Sequence, residues 1–486
     1  MVQTGKTNLM AITFAVALGG LLFGYDTAVI SGTTEALTNF FQGSPAEMGF
    51  AFSSALLGCI VGAIVAGFIS NSMGRRGSLL LAAILFFISA IGSAVPDMFV
   101  PSFMLSGDVE QDLNAYYWSF IVFRLIGGVG VGIASMVSPM YIAEVAPAER
   151  RGALVACNQF AIIFGMLVVY FVNYGIAQLG DLSWLYQTGW RYMFASEMIP
   201  ATLFFVLLLR VPETPRWLAL QGRDEEAKGL LAGLGGAHSV QSQWNEIQQS
   251  MKQKTGKLLS PKVFYVLTIG IMLSVFQQIT GINVFLYYAP EILKGFGDGN
   301  LDIALLQTIM VGAVNLIFTV IAIKTVDKFG RRPLMMIGSA AMAVCMIAIG
   351  TAAYLDAVGG YLLVFVLGYI AAFALSLGPV VWVLLSEIFP NNVRSKALSV
   401  AVFFQWFSNF LVSQTFPMMN AKDSFLYQSF NGGFPFWFYG AMAVLTVVFV
   451  YKWVPETKGL TLEELEDLWE QKTEEDPIAE VARNQA

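Results

Sequence analysis

The chain alternates between long apolar runs and short polar loops. Twelve runs are long enough to cross a bilayer as helices, which takes about 20 mostly apolar residues. They are Asn8–Ser31, Gly49–Ser70, Ser78–Val95, Trp118–Ile142, Ala153–Ala177, Tyr192–Val211, Lys262–Ala289, Ile303–Lys324, Pro333–Tyr354, Tyr361–Phe389, Ala397–Pro417 and Phe434–Val454. A polar stretch from Pro212 to Pro261 separates the sixth from the seventh and holds the only histidine, His238. The pattern Asp224-Glu225-Glu226-Ala227-Lys228 predicts short helices in water there. After Pro455 the chain is acidic and opens on a helix-like pattern, Leu460 to Trp469. The expected division is a six-helix bundle over 1–211, a cytoplasmic helical linker domain over 212–261, a second six-helix bundle over 262–454 and a cytoplasmic tail over 455–486. The first apolar run lacks a small-residue cleavage site and is expected to be a retained helix.

Lys and Arg orient the spans. Arg75, Arg76, Arg150, Arg151, Lys324, Lys328, Arg331, Arg332, Arg394 and Lys396 fall in alternate loops, whereas the opposite loops hold only Lys294 and Lys422, with Arg191 at a helix edge. Both termini and the linker are therefore expected in the cytoplasm, and the acidic loop with Asp97, Asp108, Glu110 and Asp112 outside.

The two halves repeat. Gly74-Arg75-Arg76 returns as Gly330-Arg331-Arg332. Glu144 with Arg151 seven residues on returns as Glu387 with Arg394, and Pro212-Glu213-Thr214-Pro215 returns as Pro455-Glu456-Thr457-Lys458. A repeat of half the chain, with six spans in each copy, is the mark of a two-bundle transporter.

Composition agrees. Hydrophobic residues make up 56% and charged ones 12%, against about 25% charged in soluble domains. Scattered basic residues give no sign of nucleic-acid binding. Cys59, Cys157 and Cys345 lie in apolar runs without a CxxC motif and are expected as buried thiols, with no metal or redox cofactor. The chain shows no P-loop, dinucleotide fingerprint or His–Cys–Asp cluster, so an enzyme is not expected. A channel would not need the repeat, and a sensing receptor would carry a long signalling tail.

The repeated motifs, together with Arg216, Gln277-Gln278, Gly281, Asn283, Gly378-Pro379, Trp382 and Gly459, resemble the sugar porter family of the major facilitator superfamily over nearly the whole chain. The resemblance implies an all-α membrane protein of the major facilitator fold, with two six-helix bundles related by pseudo-two-fold symmetry. It also implies transport of a monosaccharide, either D-xylose or a hexose such as glucose, by alternating access. The expected partners are that sugar, protons and the lipid bilayer of the inner (plasma) membrane, with the protein a monomer and without a cofactor.

Three ionisable residues sit deep in apolar spans: Asp26, Arg124 and Glu197. Each costs at least about 2.5–3.5 kcal/mol at a helix centre. They are either a structural ion pair or a proton site. Arg124 enters a glycine-rich helix (Gly127, Gly128, Gly130, Gly132) that permits close backbone approach. A change in the Arg124–Asp26 distance would change proton affinity, as coupling requires. Proton-coupled members of the family carry an Asp here, and facilitative glucose transporters an Asn. Proton symport is therefore expected, with Glu197 as a relay on the cytoplasmic side; the alternative is a facilitative uniporter.

A sugar presents hydroxyls that both donate and accept, which neutral amides match without a charge to desolvate, while a Trp face packs on the ring. Buried amides at mid-span depth are Gln159, Gln277, Gln278, Asn283, Asn315, Gln405 and Asn409, accompanied by Trp382 and Trp406. Gly281 is placed to loosen its helix so that Gln277, Gln278 and Asn283 reach one cavity. The resemblance implies sugar contacts at these positions, Asn409 apart, and an aromatic lining of Phe23 and Tyr287. Met166 departs, because xylose-carrying members of the family have a glutamine there. It stands seven residues after Gln159, on the same helix face, and is expected to line the cavity. At the cytoplasmic helix ends, Arg75, Glu144, Arg151, Arg331, Glu387 and Arg394 are expected to form inter-helix salt bridges that close the inside.

Overall fold

The computed structural model describes residues 9–147, 150–235, 240–252, 261–297, 299–389 and 393–458. His238 and the helix expected at Leu460–Trp469 lie outside the described residues. The described chain is helical throughout, without strands. In a hydrocarbon interior every backbone N–H and C=O needs an internal partner, and a helix supplies it within one segment.

Eleven helices among the described residues are long and apolar enough to cross a membrane. The one expected span not among them, the eleventh, Ala397–Pro417, lies inside a 27-residue helix, Arg394–Asn420. Gln405, Asn409 and Gln414 lower its hydropathy without ending the helix. Large apolar side chains such as Phe68, Ile199 and Val364 point outward, as surfaces meeting acyl chains do.

The chain divides into two compact units. One comprises Met1–Phe41 with Ser54–Lys254, the other Gln42–Ser53 with Thr255–Ala486. Helix pairing repeats in both. In the first unit Leu9–Val29 packs along Arg151–Ala177, and Gly74–Ala94 along Val109–Val145 and Met198–Leu208. In the second, Pro261–Ile279 packs along Arg394–Asn420, and Arg331–Tyr354 along Leu362–Leu375 and Phe434–Trp453. These are the same six-span positions in each copy. The expected close approach also occurs: a Cβ on Gly128 would overlap the Ala55 carbonyl.

Three breaks interrupt the spans, each with a local cause. The sixth span starts earlier than expected, at Leu182, and passes through a π-helical turn at Leu185–Gly189. It breaks at Ser196–Glu197 because Pro200 lacks an N–H and crowds the carbonyl four residues back. The seventh breaks at Gly281, whose φ of 93° is left-handed. A side chain there would be strained and would press on the Tyr439 ring. The tenth breaks at Ser376, ahead of Pro379.

Three short helices, Pro215–Leu220, Asp224–Gly235 and Val240–Lys252, fill the linker. They close over a small core of Leu218, Ala219, Ala227, Leu231 and Trp244.

Candidate functional site: buried charges, an amide network and two ion-pair knots

Inside the first unit Arg124 Nη1 donates to Asp26 Oδ1 at 2.7 Å, and its Nη2 donates to the Asp26 carbonyl at 3.1 Å. The side chains are 1% and 0% exposed. Glu197, at the break of the sixth span, is fully buried and feels the charges of Asp26 and Arg124. Among the described residues no N–H or hydroxyl donates to either Glu197 oxygen or to Oδ2 of Asp26, and the Glu197 carboxyl instead meets that of Asp26, a contact that two carboxyls make only by sharing a proton. The break that frees Glu197 is held by Ser196, whose hydroxyl meets that of Tyr25 at 2.7 Å. One guanidinium balances one carboxylate. The second carboxyl is neutral only when it carries a proton.

In the second unit the break at Gly281 brings its flanking amides together. Asn283 Nδ2 donates to Gln278 Oε1, and Gln278 Nε2 to Gln277 Oε1 at 3.2 Å. Gln405 Nε2 donates to that same oxygen at 2.7 Å. Gln277 Nε2 is held by the carbonyls of Leu377 and Gly378, at 2.8 and 3.0 Å, beside the tenth-span break. Gln277 is thus a hub joining three spans, with both ends of its amide engaged. Oε1 of Gln405 is buried without a donor. Asn409 Nδ2 donates to the Tyr287 hydroxyl at 3.4 Å and its Oδ1 accepts from Ser413. Asn315 and Trp406 are buried, and Trp382 is half-buried.

The first unit holds the remaining expected sugar positions. Phe23 is half-buried on the first span; on the fifth, Gln159 is half-buried and Met166 buried. The Met166 backbone lies against Gly24, where a Cβ would come within 3.1 Å of its nitrogen. Phe23 and Met166 therefore come from helices in direct contact.

At the helix ends the three repeated motifs converge. Arg75 binds Glu144 through Nε and Nη2, at 3.0 and 2.9 Å. Thr214 donates its hydroxyl to Glu144 at 2.6 Å and caps Pro215–Leu220 by accepting from the Trp217 N–H. Pro215 takes the first helical position, where a missing N–H costs nothing. Glu213 accepts from the backbone N–H groups of Arg75, Arg76 and Thr214. The φ of 82° at Gly74 turns the loop onto this carboxylate, and a Cβ there would overlap it. Burial raises the Glu213 carboxyl above its ordinary range, partly offset by its hydrogen bonds to Thr214, Arg76 and Arg75 and by the charge of Arg75. The second unit repeats the knot. Arg331 pairs with Glu387 at 2.8 Å, Thr457 donates to Glu387 at 2.7 Å, and Glu456 accepts from the N–H groups of Arg331 and Arg332.

The partners differ from those that spacing suggested. Arg151 is exposed and makes no ion pair among the described residues. Arg394 donates Nε to the Phe389 carbonyl. Arg151 starts a new helix after a loop, so seven residues of chain do not carry it back to Glu144. Sequence reasoning left Glu213, Thr214, Glu456 and Thr457 out of these clusters. Their repetition alongside the other two motifs was the signal.

Two bundles with the same helix pairing, buried charge and buried amides define a multi-pass membrane transporter of the major facilitator fold. The profile of the sugar (and other) transporter family matches residues 12–469, and the chain belongs to that family. It is similar to the D-xylose-proton symporter of Escherichia coli (strain K12), with 54% identity over 97% of this chain and 98% of that protein. The arabinose-proton symporter of Bacillus subtilis (strain 168) is 41% identical over 95% of each chain. The solved structure of a proton:xylose symporter bound to 6-bromo-6-deoxy-D-glucose matches with TM-score 0.80 and 55% identity, over 95% of this chain and 99% of that one. These relatives are transporters.

Proposed function

We propose that this protein imports a monosaccharide, D-xylose or a hexose such as glucose, together with protons by alternating access. The observation that carries the reading is the buried group of Asp26, Arg124 and Glu197, two carboxyls with one guanidinium. An unbalanced charge in a bilayer interior is costly, so protonation of this group is tied to which state it can occupy. The names of the xylose and arabinose symporters support the same reading. Gln159, Gln278, Asn283, Asn315, Gln405, Trp382, Trp406, Phe23, Tyr287 and Met166 are the proposed sugar contacts, with Gln277 as the hub that orients the amides. The knots of Arg75 with Glu144 and Arg331 with Glu387 are the proposed cytoplasmic gate, with Arg151 and Arg394 flanking them. The same reading has the protein in the inner (plasma) membrane as a monomer, with both termini cytoplasmic.

Adding sugar to de-energised right-side-out vesicles should alkalinise the medium as protons enter with it. Transport without alkalinisation would make the protein a uniporter. For orientation, cysteines introduced at Asp97–Tyr117 should react with an impermeant thiol reagent on intact cells, and those at 220–252 should not. The reverse pattern would invert the topology.

A further inference from the structure

The Asp26 pair has neighbours that the transport reading does not use. Serines inside helices usually donate to a carbonyl of the preceding turn, as Ser53 and Ser78 do. Ser89 and Ser93 on the third span do not. Both are 0% exposed, and both hydroxyls lack a hydrogen-bond partner among the described residues. Four residues apart, they lie on one helix face. Ser89 is at the pair itself: a Cβ on Gly127, one turn after Arg124, would overlap Ser89 Oγ and stand 3.3 Å from Asp26 Oδ1. The bare face of Gly127 thus lets a hydroxyl and a carboxylate from two other helices converge beside Arg124. Ser93 is one turn further along. The third span ends at Ala94, whose carbonyl accepts from Arg191 at 3.2 Å, beside Asp97.

We propose that Ser89 and Ser93 form a hydroxyl ladder by which a proton reaches Asp26 from the outer end of the third span. This rests on the proton-symport reading and its orientation. Side chains one turn apart stand about 5–6 Å from each other, so one bridging water completes the chain. When the transport cycle opens this end to the outside, a proton from outside water is taken up at Ser93 Oγ, which passes its own proton through the bridging water to Ser89. Ser89 passes one on to the carboxylate of Asp26, which stands beside it at Gly127. One O–H bond forms on Asp26, each hydroxyl regains the proton it gives, and the net change is carboxylate to carboxylic acid. The other charged or titratable groups facing Asp26 are Arg124 from the fourth span, Glu197 from the sixth and the Cys59 thiol from the second, with Tyr25 beside Glu197. None of these lies on the third span. The ladder therefore approaches from the side without a fixed charge.

The test uses Ser89→Ala, Ser93→Ala and the double variant in right-side-out vesicles, with Ser93→Cys keeping a donor. Sugar counterflow, which needs no net proton movement, should match wild type. The initial rate of sugar-driven alkalinisation should fall about fivefold per hydroxyl removed, the equivalent of one net hydrogen bond. Its slowing in D₂O should change, and Ser93→Cys should recover part of the rate. A double variant that alkalinises at the wild-type rate overturns the ladder. So does a parallel loss of counterflow, which would mark both serines as packing. If wild type itself transports sugar without alkalinisation, the symport reading fails and the ladder with it.

Discussion

Glu213 and Glu456 hold the same place in the two halves: each carboxylate accepts from both arginine N–H groups of a Gly-Arg-Arg loop. The arginine side chain that begins at that N–H then pairs with a glutamate of another helix, Glu144 or Glu387. Each knot therefore ties a loop, a helix end and the segment after the bundle into one unit. A rearrangement of any one of them must break charge-assisted hydrogen bonds, which is what a gate that opens and closes needs.

Removing Glu213 should destabilise the first unit. Glu213→Ala leaves the N–H groups of Arg75, Arg76 and Thr214 without their acceptor, at about 1–3 kcal/mol for each that stays buried. The melting temperature of the purified protein should fall, and Glu456→Ala should do the same. Wild-type melting in both would show that the knots do not hold the helix ends.

Asp26→Asn should uncouple transport. The amide cannot take up a proton, so accumulation of sugar against a gradient and sugar-driven alkalinisation should both be lost. Counterflow should persist, because Asp26 pairs with Arg124 and is assigned to coupling, not to the sugar pocket. The check is accumulation in energised cells beside counterflow in vesicles. Accumulation by the variant would remove Asp26 from the coupling step.

The amide network separates two kinds of loss. Gln278→Ala removes the acceptor of Asn283 as well as a proposed sugar contact, and Trp382→Ala removes a half-buried ring. Each should weaken sugar binding roughly tenfold or more, since an unpaired buried hydroxyl costs about 1–3 kcal/mol. Calorimetry on purified protein measures it. Wild-type affinity in either variant would put that residue outside the site.

Much of this was legible in the sequence because a bilayer interior leaves few choices. Apolar length marks the spans, and Asp26, Arg124 and Glu197 stand out because charge there is rare. Gly281 was legible for a similar reason, since only glycine takes φ of 93° without strain. What stayed hidden depends on which helices touch. The partner of Glu144 is Arg75, 69 residues away across another helix, and not Arg151 nearby. The role of Gln277 as a hub needed the Leu377 and Gly378 carbonyls, which open the helix that restarts after the tenth-span break at Ser376. Ser89 looks like any serine until Gly127 brings it beside Asp26.

Met166 offers the sharpest test of which sugar is preferred. It is buried on the fifth span, two turns from Gln159, with its backbone against Gly24 of the first span, next to Phe23. A thioether is only a weak acceptor, so this wall of the proposed pocket meets a sugar by apolar contact and tolerates the extra CH₂OH of a hexose. Wild type is therefore expected to transport glucose or galactose at least as well as xylose. Met166→Gln adds an amide that can bond a ring or hydroxyl oxygen, and one neutral hydrogen bond nets about 1 kcal/mol. The ratio of xylose to glucose affinity should rise by about fivefold in the variant, as that energy converts. The two sugars serve as internal controls for each other, because damage to the fold would weaken both alike. An unchanged ratio would place Met166 in the packing between the first and fifth spans and assign selectivity to another wall.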